Sequence, residues 1–194
     1  MGQRADPAVA AAGSAYFISG SGYGPTEGPQ RVATEAFKGE FYQKVDSKAR
    51  VSIPAAMRRI LEQANPVEGS RASVVMVYGA GGRHVQCFST RGAQDLYDII
   101  AQHPIGKQKS ALELAFVTRS AEVEIDEDGR LVLPLKVRDR MGVTPEILAS
   151  GFMAAFAGKL DRFELWLGDT YDAETPDMSD DADDIRALLA LPAP

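Results

Sequence analysis

The sequence predicts an α+β chain, mainly β with short helices, built as two copies of one small unit. Three observations carry that prediction. A segment at residues 41–54 recurs at 121–134, an offset of 80. In each copy, apolar residues alternate on both sides of a short polar turn, the pattern of a hairpin. After each turn a proline precedes apolar residues at helical spacing.

Taken in order, residues 1–36 are rich in Gly, Ala, Ser and Pro, with a lone Tyr16-Phe17-Ile18 cluster and no sustained period. They are expected to be a disordered leader. The first repeat, 37–88, follows. Its turn, Asp46 to Arg50, aligns with Asp126 to Arg130, and Pro54 aligns with Pro134. Val45/Ile125, Val51/Leu131 and Ile53/Leu133 match in character, and Arg58 matches Arg138. A proline in a helix's first turn forfeits no internal hydrogen bond, so a helix begins after each, with Met57, Ile60, Leu61 and Ala64 as its inner face.

The remainder of the first copy reads as a strand at 72–78, a Gly79-Ala80-Gly81-Gly82 turn and a strand at 83–88. Residues 89–116 are expected to be connecting helices. One starts after Ser89 or Thr90 and is marked by Ala93, Leu96, Tyr97 and Ile100; the other covers 107–116. The second repeat, 117–167, ends with strands at 152–157 and 162–167 around Gly158-Lys159-Leu160-Asp161, at an offset of about 79 from the first. Residues 168–194 form an acidic tail, whose Asp169-Thr170-Tyr171 start is expected to open a matching helix. A copy of this size is too small to be comfortable alone, and its sheet edges need cover. The two copies are therefore expected to interlock into one barrel-like unit.

Composition excludes several classes. Among the 194 residues no apolar run approaches the eighteen needed to cross a bilayer, and the Ala-rich 8–12 stretch is too short for a secretory signal. A single cysteine, Cys87, makes no internal disulfide, and with only His84 and His103 beside it a Cys/His zinc site is not expected. The chain shows no nucleophile elbow, no phosphate-binding glycine loop before a helix and no metal cluster, so neither catalysis nor a cofactor is expected.

The formal charge of −6 argues at first against nucleic acid. Its distribution reverses that reading. Residues 168–194 hold eight acids and one base, Arg186, a net of −7, and residues 1–36 carry −1, which leaves 37–167 at +2. Within that centre, 38–61 has six bases and two acids, a net of +4, whereas 117–141 has five bases and six acids, a net of −1. Phosphate charge favours the first copy.

The paired segments Val45-Asp46-Ser47-Lys48-Ala49-Arg50-Val51-Ser52-Ile53-Pro54 and Ile125-Asp126-Glu127-Asp128-Gly129-Arg130-Leu131-Val132-Leu133-Pro134 resemble the MraZ family. So do Phe37-Lys38-Gly39-Glu40 and, near the end, Gly158 with Phe163-Glu164-Leu165-Trp166. The resemblance spans 37–167 and implies a duplicated AbrB-type swapped-hairpin β-barrel that assembles into rings. It also implies a cytoplasmic, nucleoid-associated regulator that binds double-stranded DNA at direct repeats ahead of the division and cell-wall gene cluster. No membrane association and no small-molecule ligand are expected. One departure stands out: the first turn has Ala49 where the family favours glycine, which strains the turn if that position needs a positive φ.

The residues of interest have two readings each. Asp46, Asp126 and Gly129 are expected to structure the turns, the carboxylates accepting turn N–H groups. Arg50 either pairs back onto Asp46 or reaches a phosphate or the paired acceptors of guanine. Lys44, Lys48 and Arg130 join it as candidate DNA contacts, with the first turn as the main reader and the second mainly structural or inter-subunit. Arg58 and Arg138 are expected to be structural, with phosphate contact as the alternative. The tail is expected to be solvated chain, or else to fold over the basic face and compete with DNA. The competing function is an AbrB-type protein-interaction scaffold or antitoxin-like module that binds a protein partner.

Overall fold

In the computed structural model the described residues are 36–65 and 69–175. The expected leader, apart from Ala36, and the acidic stretch from 176 onward lie outside them. The first copy contributes β1 (Glu40–Val45), β2 (Arg50–Ser52), α1 (Ala55–Gln63), β3 (Ser73–Val77) and β4 (His84–Ser89). Next come α2 (Thr90–Gln102), α3 (Lys107–Leu112) and a π-helical segment, Glu113–Thr118. The second copy then supplies β5 (Ser120–Glu124), β6 (Arg130–Val132), α4 (Leu135–Met141), α5 (Pro145–Ser150), β7 (Phe152–Gly158), β8 (Phe163–Leu167) and α6 (Gly168–Glu174).

The strands build an antiparallel six-stranded sheet in the order β1-β7-β8-β4-β3-β5, and a separate ribbon of β2 with β6. That order is a palindrome under exchange of the copies. Each copy gives its first strand to the other's closing hairpin: β1 pairs with β7 from Glu40↔Ala157 to Val45↔Phe152, and β5 pairs with β3 from Ser73↔Glu124 to Val77↔Ser120. The copies thus exchange strands, as a swapped-hairpin arrangement requires. The sheet ends at β1 and β5, and apolar packing of the ribbon onto its inner face encloses the core.

The core repeats the register of the sequence. Val45, Val51, Ile53, Met57 and Leu61 are buried, and so are Ile125, Leu131, Leu133, Val137 and Met141, each exactly one offset of 80 further on. These positions alternate on the strands and then recur at helical spacing on α1 and α4, which is why one face of each element is apolar. The outer face of the sheet carries two smaller clusters. Phe88, Val75 and Val77 pack with Ala93 of α2, and Trp166 and Ala155 pack with Tyr171 of α6. Helices α2 and α6 are therefore counterparts. The Tyr171 hydroxyl donates to Glu40 Oε2 at 2.8 Å, and Tyr42 donates to Asp172, which fastens α6 to the edge strand.

Two elements differ from the sequence reading. The helix expected over 107–116 is α-helical only to Leu112 and then widens into a π-helix ending at Thr118, two residues inside the expected second repeat. Its backbone lies tight against the end of β3, where a Cβ on Gly79 would meet the Ala115 carbonyl oxygen at 2.3 Å. A second difference is α5, which no apolar period announces. Thr144 caps it by accepting from Ile147 N–H at 3.3 Å, and Pro145 occupies its first turn, a start signal that stood in the sequence. The first seven residues counted with the acidic tail form α6, in agreement with the matching helix expected there. Among the described residues no helix is long and apolar enough to cross a membrane.

Candidate nucleic-acid interface

The two polar turns lie against each other across the ribbon. Leu133 N–H bonds Ala49 O at 2.9 Å, and Ile53 N–H bonds Gly129 O at 3.0 Å, so each turn is tied to the strand that follows the other. Between these bonds the register runs Arg50↔Val132, Val51↔Leu131 and Ser52↔Arg130. Val51 and Leu131 point into the core, and alternation puts Arg50, Ser52, Arg130 and Val132 together on the opposite, outward face. Arg50 and Arg130 are diagonal neighbours there, a separation of about 7–8 Å in an antiparallel pair. Each side chain is nearly half exposed, 47% and 48%.

Inside the first turn Asp46 organises everything around it. Its Oδ1 accepts from Lys48 N–H and Arg50 N–H, both at 2.9 Å. Its Oδ2 receives Arg50 Nε and Nη2, both at 2.7 Å. The Arg50 backbone N–H, then its guanidinium and the Lys48 N–H, hold the Asp46 carboxyl below its ordinary range. These side-chain contacts use two of Arg50's five N–H donors. The other three remain on a guanidinium whose orientation is fixed.

The second turn keeps the backbone and changes the charges. Asp126 Oδ1 accepts from Arg130 N–H at 2.8 Å, but the Arg130 guanidinium turns to Asp128, 3.5 Å away. Glu127 pairs with Arg71 at 3.1 Å. Gly129 and Ala49 both hold positive φ, +77° and +61°. Over Gly129 lies the Arg58 guanidinium, 2.0 Å from where a Cβ would stand. At the equivalent place Ala49 has a methyl group, and Arg138 instead donates through Nε to Leu133 O at 3.2 Å. Arg71 and its hold on Glu127 were not legible in the sequence, because 56 residues separate the partners.

Of the residues singled out from sequence, Arg50 and Arg130 share the ribbon face, and Asp46, Asp126 and Gly129 sit in the turns beneath it. Lys48 is exposed at the tip of the first turn. Lys44 stands apart on the solvent side of β1, in register with Met153 and with its Cε beside Gly151. A two-stranded ribbon fits the major groove, and outward guanidiniums match the paired acceptors of guanine there. Among the described residues no group of three or more His, Cys, Asp and Glu side chains is placed to hold a metal ion.

No family model matches the chain. Curated relatives do. The chain is 46% identical over 142 residues to the transcriptional regulator MraZ of Cereibacter sphaeroides strain ATCC 17025, covering 72% of this chain and 84% of that protein. It is 36% identical over 156 residues to the protein of the same name from Ruegeria sp. strain TM1040, covering 76% and 89%. With that of Parvibaculum lavamentivorans it shares 25% over 155 residues, covering 79% and 89%.

Proposed function

Because the chain belongs to the MraZ family, whose named members are transcriptional regulators, we propose that it is a sequence-specific, non-catalytic DNA-binding regulator of transcription that reads its operator with the outward face of the β2–β6 ribbon. The observation that carries this reading is the placement of Arg50 and Arg130, from turns 80 residues apart, on one exposed face of a ribbon narrow enough for the major groove. Asp46 prepares Arg50 for the task by fixing its plane before DNA arrives, so less side-chain freedom is lost on binding.

The first turn is the main reader. Lys48 adds positive charge at the tip of the first turn and Lys44 adds it further back along β1, whereas at the second turn Asp128 pairs with Arg130 and Glu127 adds a further negative charge. Arg130 contributes less, and the second turn serves mainly structure and contacts between subunits. This inequality gives the ribbon a direction despite its near-symmetry, and a directional reader suits direct repeats. Head-to-tail assembly of such chains closes into a ring, which sets several ribbons side by side. Adjacent subunits then occupy adjacent repeats, and each contact after the first gains from effective concentration. The operator is the promoter of the division and cell-wall gene cluster, and the protein acts in the cytoplasm at the nucleoid.

The test is a mobility shift on the DNA upstream of the chain's own gene, across a salt series, with sedimentation to follow assembly. Wild type is expected to bind specifically as a large oligomer. Arg50→Ala should weaken binding about 10- to 100-fold while leaving the oligomer intact. Arg130→Ala should weaken it less. If wild type binds no DNA at low salt, the regulator reading falls and the protein-interaction scaffold takes its place.

A further inference from the structure

The outward face of the ribbon carries one side chain unlike the others. Val132 is 54% exposed although it is apolar and β-branched. Its counterpart in the first copy is Ser52, and the ribbon forms there with a polar residue, so the fold does not require a valine at this position. The core side of β6 is served by Leu131, which is 3% exposed.

Register gives Val132 a specific neighbour. It stands directly opposite Arg50, as Ser52 stands opposite Arg130. Backbone bonds flank these positions, from Leu133 N–H to Ala49 O and from Ile53 N–H to Gly129 O. Alternation therefore makes Arg50/Val132 and Ser52/Arg130 the pairs without mutual backbone bonds, whose side chains approach most closely, with Cβ atoms about 4.5–5.5 Å apart. One end of the ribbon thus presents a fixed guanidinium beside stiff methyl groups, and the other a guanidinium beside a hydroxyl.

Resting on the DNA reading above, we propose that Val132 is a specificity-determining residue whose methyl groups meet the 5-methyl group of a thymine next to the guanine read by Arg50. Among the groups that mark base identity on the floor of the major groove, the thymine methyl is the apolar one, and an apolar side chain recognises it by excluding water from both. The spacing of the Arg50/Val132 pair suits neighbouring base steps. Ser52 offers no such surface to the base beside Arg130's. The two ends of a nearly symmetric ribbon therefore prefer different dinucleotides, and each chain lies on its site in one direction only.

The experiment begins with full-length wild type and a pool of randomised duplexes, from which the tightest binder is isolated. Each thymine of that duplex is then replaced singly by deoxyuridine, which removes the methyl group and leaves every hydrogen-bonding group in place. Wild type should lose about fourfold in affinity at one thymine per bound ribbon, the worth of burying one methyl. That thymine should adjoin a guanine whose replacement by 7-deazaguanine is no longer felt by Arg50→Ala. Val132→Ala should bind the thymine duplex about fourfold more weakly and no longer distinguish it from the deoxyuridine duplex. Val132→Thr, which retains shape and one methyl, should fall between. Ser52→Val should acquire a second position of thymine preference.

Undiminished discrimination by Val132→Ala overturns the assignment. So does indifference of wild type to deoxyuridine at every position while binding still depends on Arg50, an outcome that leaves the DNA reading standing. A pool that yields no enriched duplex overturns both.

Discussion

Ala49 and Gly129, 80 positions apart, adopt the same left-handed backbone with φ of +61° and +77°, and each gives its carbonyl to the strand after the other's turn. Only one of them is the residue that this conformation favours. The left-handed region costs an L-residue about 1–2 kcal/mol, and glycine avoids that cost. Ala49 is buried, however, so removing its methyl also forfeits about 0.8 kcal/mol of apolar burial. Ala49→Gly is therefore expected to shift stability by no more than about 1 kcal/mol, toward greater stability. The mirror change has no such offset. Gly129→Ala meets the backbone penalty and also displaces the Arg58 guanidinium, so a loss of about 1–3 kcal/mol is expected. Urea midpoints at one protein concentration test the asymmetry, and adding Arg58→Ala to Gly129→Ala should recover the steric part.

Arg50→Lys separates charge from shape. Lysine keeps the positive charge that phosphates attract but loses the planar fork that Asp46 engages and that matches the paired acceptors of guanine. The salt dependence of DNA binding should stay close to wild type, while discrimination against a mismatched operator falls about tenfold or more. A lysine variant as selective as wild type would place base reading elsewhere.

Asp46 should make acid stability depend on one residue. Its folded pKa lies below the ordinary value of 3.8, so its contribution is complete above that value and disappears as pH falls through the lower, folded one. The stability advantage of wild type over Asp46→Asn should hold near neutrality and shrink below about pH 4. Parallel denaturant titrations of the two proteins from pH 6 to pH 3 measure that difference.

His84 acts in a higher window. Its ring stacks on Trp166 with centroids 4.4 Å apart, and its Nε2 lies 3.7 Å from Glu164 Oε1. Burial pushes its pKa below 6.5; Glu164 and Glu174 oppose that shift, while Arg140 and Arg162 reinforce it. The unfolded chain therefore takes up the proton first. Wild type should lose stability as pH falls from about 6.5 toward 5, and His84→Gln should lose less across the same interval. Equal slopes would show that the imidazole titrates unperturbed.

Much of this architecture was legible because duplication writes the same physics twice. Asp46 and Asp126, Pro54 and Pro134, and the three matched apolar pairs from Val45/Ile125 to Ile53/Leu133 announced turns, helix starts and buried faces by repetition and period alone. The π-helical segment was not legible, since a 3.6-residue period does not reveal where a helix widens, nor that its backbone comes close to Gly79. Helix α5 was missed because its signal, Thr144-Pro145, lies in its cap and not in an apolar stripe. At the candidate site the residue types were readable, and their companionship was not. That Arg50 and Arg130 share a face follows from the pairing of β2 with β6, a register fixed by contacts between distant segments.

The exchange of first strands also sets a schedule for biogenesis. Glu40 pairs with Ala157, so β1 leaves the ribosome 117 residues before its partner does. At about 5–20 residues per second, that is a wait of about 6–23 seconds with both strand edges open. Glu40 and Lys44, alternating along β1, keep the waiting edge charged and discourage pairing with a neighbouring nascent chain. Neither half can complete its sheet from its own strands, so the fold closes cooperatively and late in synthesis.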